Sequence, residues 1–299
     1  MQIQGRGTPP RIRPYLFLRP STRGSAPAES DMNPEDFRAL VYEKASACHR
    51  DLPWRKTFDP YAIMVSEYML QQTQVVRVVP KYSAWLERFP DFQALAESAT
   101  QEVLRYWSGL GYNRRALALQ TSARTVARQY GSRLPEDEKS LRGLPGVGKY
   151  TARAILAFAF DRPTVFLETN IRAVLLKHFF PEERQVAEAT LEEKAAPVVD
   201  TEAPRKWYNA LMDYGAELKR VEENHSVRSS NYRKQMAFAG SFRSLRGAVL
   251  KRLLEQGRVS KEELYAELSF SGAEIERCCE LLVKEGFAAY EGGALEIRD

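Results

Sequence analysis

Read for the spacing of its apolar positions, the chain is a succession of amphipathic helices. Phe37, Leu40, Val41 and Ala45 share one face of a helix that Asn33-Pro34 opens and that runs to about His49. Leu52-Pro53-Trp54-Arg55 breaks it. Asp59-Pro60 then gives a cap followed by proline at the first helical position, where a missing N–H costs nothing. The next helix, Tyr61 to about Thr73, is apolar nearly all round, which makes it central to the fold. Gln71, Gln72, Thr73 and Gln74 end it with a cluster of amides. Further helices are predicted from Val75 to Phe89 (regular from near Pro80), from Thr100 to Trp107 and, after Gly109-Leu110-Gly111-Tyr112, from Asn113 to about Tyr130.

Leu144 to Leu156 reads L-P-G-V-G-K-Y-T-A-R-A-I-L. Leu144, Gly146, Val147 and Gly148 belong to a tight apolar turn whose two glycines mark a sharp bend and a close approach. A short helix over Asp137 to Gly143 precedes it. Ala152, Ile155, Leu156 and Ala159 mark the buried face of the helix that follows. Such a hairpin points free amides outward beside Lys149 and Arg153, an anion site of the kind a DNA phosphate occupies. An ordinary helix–helix turn would show the same pattern.

Beyond Val165-Phe166-Leu167, a helix carries Ile171, Val174, Leu175, His178 and Phe179 on one face, with Glu168 at or just before its amino end. The helix dipole favours an ionised carboxylate there. Glu67, among Ile63, Met64 and Leu70, loses water instead, and its pKa is expected to rise toward neutrality. Two carboxylates in opposing environments suit a division of acid and base roles. Simpler readings stay open: Glu168 as dipole compensation, and Glu67 as a structural residue satisfied by Trp54, Arg55 or the main chain. His178 reads as a satisfied core histidine, and His49 and His225 show no ligand spacing.

Val186 to Val199 and Arg205 to Lys219 form two more helices, and Glu222 to Gln235 is polar and basic. From Phe242 the pattern changes. A helix from Leu245 to Glu255 is followed by capping boxes at Ser260/Glu263 and Ser271/Glu274, then by a hairpin of Ala288-Ala289-Tyr290 and Ala294 to Ile297 across Gly292-Gly293. Three helices and a terminal hairpin make a winged-helix-like pattern, which serves DNA contact or protein contact. The expected organisation is a disordered extension over 1–31, a helical domain over 32–220, a basic linker or strap over 221–241 and the winged-helix-like unit over 242–299. The extension is rich in proline and arginine, and Met32 is a candidate start.

Composition narrows the classes. Hydrophobic residues make up 44% of the 299, which fits a globular chain of two or three compact units. The net charge of +5 is carried largely by arginine; Arg114, Arg115, Arg124, Arg128, Arg133 and Arg142 crowd one region and favour a polyanion partner. Cys48, Cys278 and Cys279 make no disulfide framework and no C-x-x-C metal site, which points to a reducing compartment. No run is apolar enough for a membrane span or a secretion signal.

Leu52 to Arg55, Ser66 to Gln74, Gly109 to Tyr112, Leu144 to Ala152 and Leu211 to Ala216, in that order, resemble the helix-hairpin-helix (HhH-GPD) DNA glycosylase superfamily, above all its adenine DNA glycosylase (MutY-type) branch. The resemblance covers about Leu52 to Leu218. It implies an all-α, two-lobed fold whose cleft receives a base flipped out of double-stranded DNA. It assigns Glu67 to the catalytic acid, and Glu168 to an aspartate that stabilises the positively charged sugar, with Asn170 as the asparagine nearby. Gln72 and Tyr112 fall on residues inserted into the base stack, and the hairpin at Gly146 and Gly148 on the phosphate clamp. Tyr150 stands where strand-cleaving relatives carry a lysine nucleophile, which implies base release without strand cleavage. Glu168 is one methylene longer than the usual aspartate. Lys219 stands where the first iron–sulfur cysteine would fall and no cysteine quartet follows, so no cofactor and no metal are expected. The winged-helix-like unit replaces a Nudix-like domain. The expectation is a monofunctional base-excision-repair glycosylase, cytoplasmic with the chromosome, acting on mismatched or damaged DNA. Adenine opposite G or 8-oxoguanine is the leading substrate. The alternatives are T or U opposite G, and a non-catalytic DNA-binding protein on the same scaffold.

Overall fold

Helix caps written in the sequence fix the first elements. In the computed structural model, which describes residues 32–234 and 238–298, the side chain of Asn33 accepts the amides of Glu35 and Asp36 and opens α1 (Pro34–Ser46). The extension 1–31, expected to be disordered, lies outside the described residues. Asp59 caps α2 (Pro60–Leu70) in the same way, and nine residues of it, Tyr61 to Met69, are buried without interruption. α2 stops at Leu70, short of the expected Thr73, because Gln72 takes a left-handed φ of 54° that no helix tolerates.

α3 (Val75–Arg88) contains Pro80 rather than starting there. The carbonyl that Pro80 cannot bond belongs to Val76, which is 74% exposed and reaches water. α4 (Phe92–Glu97), unforeseen in the sequence, is one short turn and a half capped by Asp91. Then come α5 (Thr100–Trp107), α6 (Arg114–Gln129), α7 (Glu138–Arg142) and α8 (Lys149–Phe160). Helices α2 to α8 pack on one another as one lobe. α1, α9 (Thr169–Phe179), α10 (Glu188–Ala195) and α11 (Pro204–Val221) form a second, joined to the first where α11 meets α8.

The strap after α11 is fixed by main-chain bonds from the Val186 amide to the Arg228 carbonyl and from the Ser230 amide to the Val186 carbonyl, and by the guanidinium of Arg228, which donates to the carbonyls of Leu176 (2.9 Å) and Glu183 (3.0 Å). It closes the carboxyl end of α9. The last unit comprises α12 (Phe242–Gln256), β1 (Arg258–Val259), α13 (Lys261–Glu267), α14 (Gly272–Lys284), β2 (Ala288–Glu291) and β3 (Ala294–Ile297). Both capping boxes form. The sheet is antiparallel in the order β1-β3-β2; the two-residue strand β1, too short to leave a pattern, pairs Val259 with Leu295. No described helix is long and apolar enough to cross a membrane.

Candidate active site

Glu67 comes from the buried run of α2 and is 6% exposed. Burial drives its carboxyl up to about 8, the neighbouring charge of Glu168 adds to the rise, and a hydrogen bond with Tyr150 opposes it. Arg55, one of the partners open to it in the sequence, is instead bound to Asp213.

Glu168 is the N-cap of α9, where its Oε1 accepts the amides of Asn170 (2.6 Å) and Ile171 (3.1 Å). The helix end does not by itself keep the carboxyl at its ordinary value: burial raises it, while the ammonium of Lys219 and the two amides pull it back. Glu168 thus has the Lys219 ammonium and the hydrogen bonds of Asn170 and Ile171 to favour its anion, whereas Glu67 has the Tyr150 hydroxyl to set against burial. The balance favours the proton on Glu67.

That asymmetry has a consequence for stability. Because the folded pKa of Glu67 lies above its unfolded value near 4.5, protonation favours the folded chain. The contribution is complete below pH 4.5 and is lost as pH rises to about 8. Glu67→Gln, which cannot ionise, is therefore expected to gain melting temperature relative to the wild type between pH 5 and 9. Parallel melting curves at the two pH values check this; a difference that does not change with pH contradicts it.

Both carboxyls line a cavity of about 170 Å³ between the lobes. A void of roughly 150 Å³ accepts a benzene ring, so this one has room for a planar heterocycle. Trp54, Ile63 and Phe158 give it apolar walls, and Tyr150 (its ring edge-on to Phe166), Arg205 and Asn209 add polar groups. Two buried polar atoms of cavity-lining residues have no hydrogen-bond partner among the described residues: Oδ1 of Asn170, an acceptor, and Nη1 of Arg205, a donor. The other amino group of Arg205 bonds the carbonyl of Arg55 at 3.0 Å, and its guanidinium lies 3.9 Å from the ring centre of Phe58.

Close packing fixes the depth of Asn170. A Cβ on Gly215 of α11 would stand 2.3 Å from the carbonyl oxygen of Asn170 and 2.7 Å from its carbon. Gly215→Ala must therefore push α9 away and carry Glu168 with it. We expect a loss of at least about 1–3 kcal/mol, the cost of overpacking. Gly247→Ala, in α12 with open space around it, is expected to be neutral or to gain about 0.5–1 kcal/mol. Denaturant unfolding of the two variants makes the comparison.

Gln72 and Tyr112, the two positions assigned to insertion, are both exposed and both adopt a left-handed φ, 54° and 48°. Non-glycine residues hold that conformation only where their surroundings impose it. Here the agent is Arg115. One amino group donates to the carbonyls of Tyr68 (2.6 Å), Met69 (3.1 Å) and Gln71 (2.5 Å); the other reaches Thr73 Oγ1 and the Gly111 carbonyl, both at 3.0 Å. Arg115 is thus a buried staple between the end of α2 and the Gly109–Tyr112 loop, and burial lowers its pKa to about 10. This corrects its place in the basic cluster. Arg124 also turns inward, to the carbonyl of Ala96, leaving Arg114, Arg128, Arg133 and Arg142 exposed.

The hairpin needs a similar correction. Leu144 and Val147 are buried, so their side chains serve the core and only their main chain faces outward. Gly146 has a φ of +81°, and a Cβ there would meet Tyr68 Cε1 at 2.9 Å. Gly148 has ordinary extended backbone with open space beside it. The first-turn amides of α8 have no acceptor within the helix. Lys149 is paired with Glu192 at 2.8 Å on the surface, an exchangeable contact. Arg153 instead donates to Glu138 (2.9 Å) and to the Val165 carbonyl (2.8 Å), which makes it a brace within the lobe. The hydroxyl of Tyr68, the residue after Glu67, bonds the Pro145 carbonyl and ties the hairpin to α2.

With this geometry in view, the likeness to known proteins is specific. Residues 65–200 match the model of the HhH-GPD superfamily base excision DNA repair protein. The chain is 39% identical over 165 residues to the adenine DNA glycosylase of Mycobacterium tuberculosis, covering 55% of this chain and 52% of that protein. It is 46% identical over 129 residues to the adenine DNA glycosylase of Mycolicibacterium smegmatis, covering 43% and 44%. The chain thus spans about half the length of the curated relatives it matches. Among solved structures, a thermostable thymine-DNA glycosylase superposes with a TM-score of 0.57 at 27% identity, covering 64% of this chain and 90% of that one. An endonuclease III–DNA complex superposes with a TM-score of 0.50 at 17% identity over 64% and 87%, a likeness of fold.

Proposed function

We propose that the chain is a monofunctional DNA glycosylase that extrudes and hydrolyses adenine opposite G or 8-oxoguanine. One observation carries the reading: Glu67, its carboxyl pushed up to about 8 by burial, and Glu168, capped by two main-chain amides, line the same cavity between two lobes. Glu67 gives its proton to the departing purine ring, and the carbon–nitrogen bond to the sugar breaks as the base leaves neutral. Positive charge then develops on the sugar, as in glycoside hydrolysis. Glu168 offsets it in a site screened from water. Water adds at the anomeric carbon and gives up a proton to the Glu67 carboxylate, which restores the acid; Asn170, with a spare acceptor, is placed to orient it.

The amides of Gly148, Lys149 and Tyr150 and the exposed arginines would take DNA phosphates; Gln72 and Tyr112 would fill the gap left by the extruded base. Tyr150 offers no amine for a lyase step. We further infer that the chain carries no iron–sulfur cluster. No cysteine lies between Cys48 and Cys278, Lys219 ends in the electrostatic reach of Glu168, and Arg228 ties down the segment that follows. The reading places the protein in the cytoplasm with the chromosome, and makes residues 242–299 a winged-helix-like unit.

Duplexes carrying A:8-oxoG, A:G, T:G and U:G, incubated with the protein and then treated with alkali, test the proposal. Breaks at adenine that appear only after alkali are expected. Breaks at T or U alone would assign the thymine branch, and binding without breaks would assign a non-catalytic role.

A further inference from the structure

The last unit of the chain touches the element assigned to DNA insertion. Arg243 of α12 donates from Nη1 to the hydroxyl of Tyr112 at 3.2 Å. Glu285, at the end of α14, receives Arg246 of α12 and lies 3.9 Å from Arg114, two residues beyond Tyr112. Arg105 of α5, at the other side of the Gly109–Tyr112 loop, donates to the carbonyl of Leu254 in α12 at 3.2 Å. The loop is thus held from inside by Arg115, whose guanidinium also lies 5.5 Å from the centre of the Tyr112 ring, and from outside by the last unit. Residues 242–299 carry more carboxylates than cations in a chain that is net positive, which disfavours phosphate binding as their main task.

We propose that this unit is a brace for the Tyr112 loop, with Arg243 as a positioning residue that fixes the phenol for insertion into the base stack. The proposal rests on the glycosylase reading for its substrate. A left-handed φ at Tyr112 is unfavourable on its own, and the loop contains two glycines with positive φ that would otherwise let it wander. A bond from Arg243 to the phenol restricts the ring to one orientation before DNA arrives, so less order has to be imposed at the moment of base extrusion. Through Glu285, the same unit sets where the Arg114 side chain stands.

The full chain, with 2-aminopurine opposite 8-oxoguanine in a duplex, provides a readout that does not need excision. Fluorescence rises as the base leaves the stack. Arg243→Ala is expected to slow that rise about three- to tenfold, the scale of one hydrogen bond, at unchanged melting temperature. Tyr112→Phe removes only the phenol oxygen and should slow it equally. The double variant should be no slower than either single one, and Arg243→Lys should recover part of the rate. Wild-type speed in Arg243→Ala, independent effects that multiply in the double variant, or a slow rise accompanied by an equal loss of stability would each overturn the proposal. So would the lack of any fluorescence rise in the wild type. Extrusion without later excision would instead defeat the glycosylase reading and leave the brace standing.

Discussion

Glu67→Gln is expected to lower single-turnover excision of adenine by about 10²–10⁴-fold, the usual worth of a positioned general acid, with affinity for the same duplex nearly unchanged. The substitution keeps the size and shape of a side chain that is 6% exposed and removes only the transferable proton. Glu67 lines the cavity as a buried side chain, whereas phosphates would meet the main chain of the hairpin and the exposed arginines. A parallel loss of binding and turnover would make Glu67 structural. Preserved turnover would move the acid elsewhere.

Asp213→Ala is expected to cost about 3–5 kcal/mol of stability, the penalty for removing one side of a buried ion pair. Asp213 is 2% exposed and accepts Arg55 through both oxygens (2.7 and 2.9 Å) and Arg50 Nε at 2.6 Å. Burial pushes its carboxyl up, yet the two guanidinium groups hold it below the usual range. Without Asp213 the buried Arg55 loses its counter-charge and α11 its link to the segment before α2. Both border the cavity, so excision should fall with stability. Thermal unfolding is the check: at roughly 2–4 °C per kcal/mol for a chain of 150–250 residues, a melting temperature lowered by less than about 2 °C would contradict this view.

Much of the molecule was legible because its signals are local. Asn33, Asp59, Ser260 and Ser271 cap helices where a short polar side chain precedes an apolar period, and each does so in the structure. Glu67 stood out for the same reason, as a carboxylate inside an apolar run, and Glu168 as a carboxylate before one. What the sequence hid depends on tertiary contact. Arg115 and Arg153 have the same side chain as their exposed neighbours, and only the fold sends them inward to carbonyls and to Glu138. Leu52-Pro53-Trp54-Arg55 and Leu211 to Ala216 were visible as motifs, but the pairing of Arg55 with Asp213 across 158 residues was not. The rise in the Glu168 pKa was hidden because a helix dipole can be read from position, whereas burial has to be seen.

The account rests most on Glu67 acting as a neutral acid, and the pH dependence of single-turnover excision from an A:8-oxoG duplex tests that directly. The acid must be protonated to act and its carboxyl titrates at about 8. The rate should therefore hold level from neutrality to about pH 8 and fall tenfold per unit above it, with Glu67→Gln flat at its residual rate over the same range. A wild-type rate that stays level or climbs between pH 8 and 10 would contradict the account.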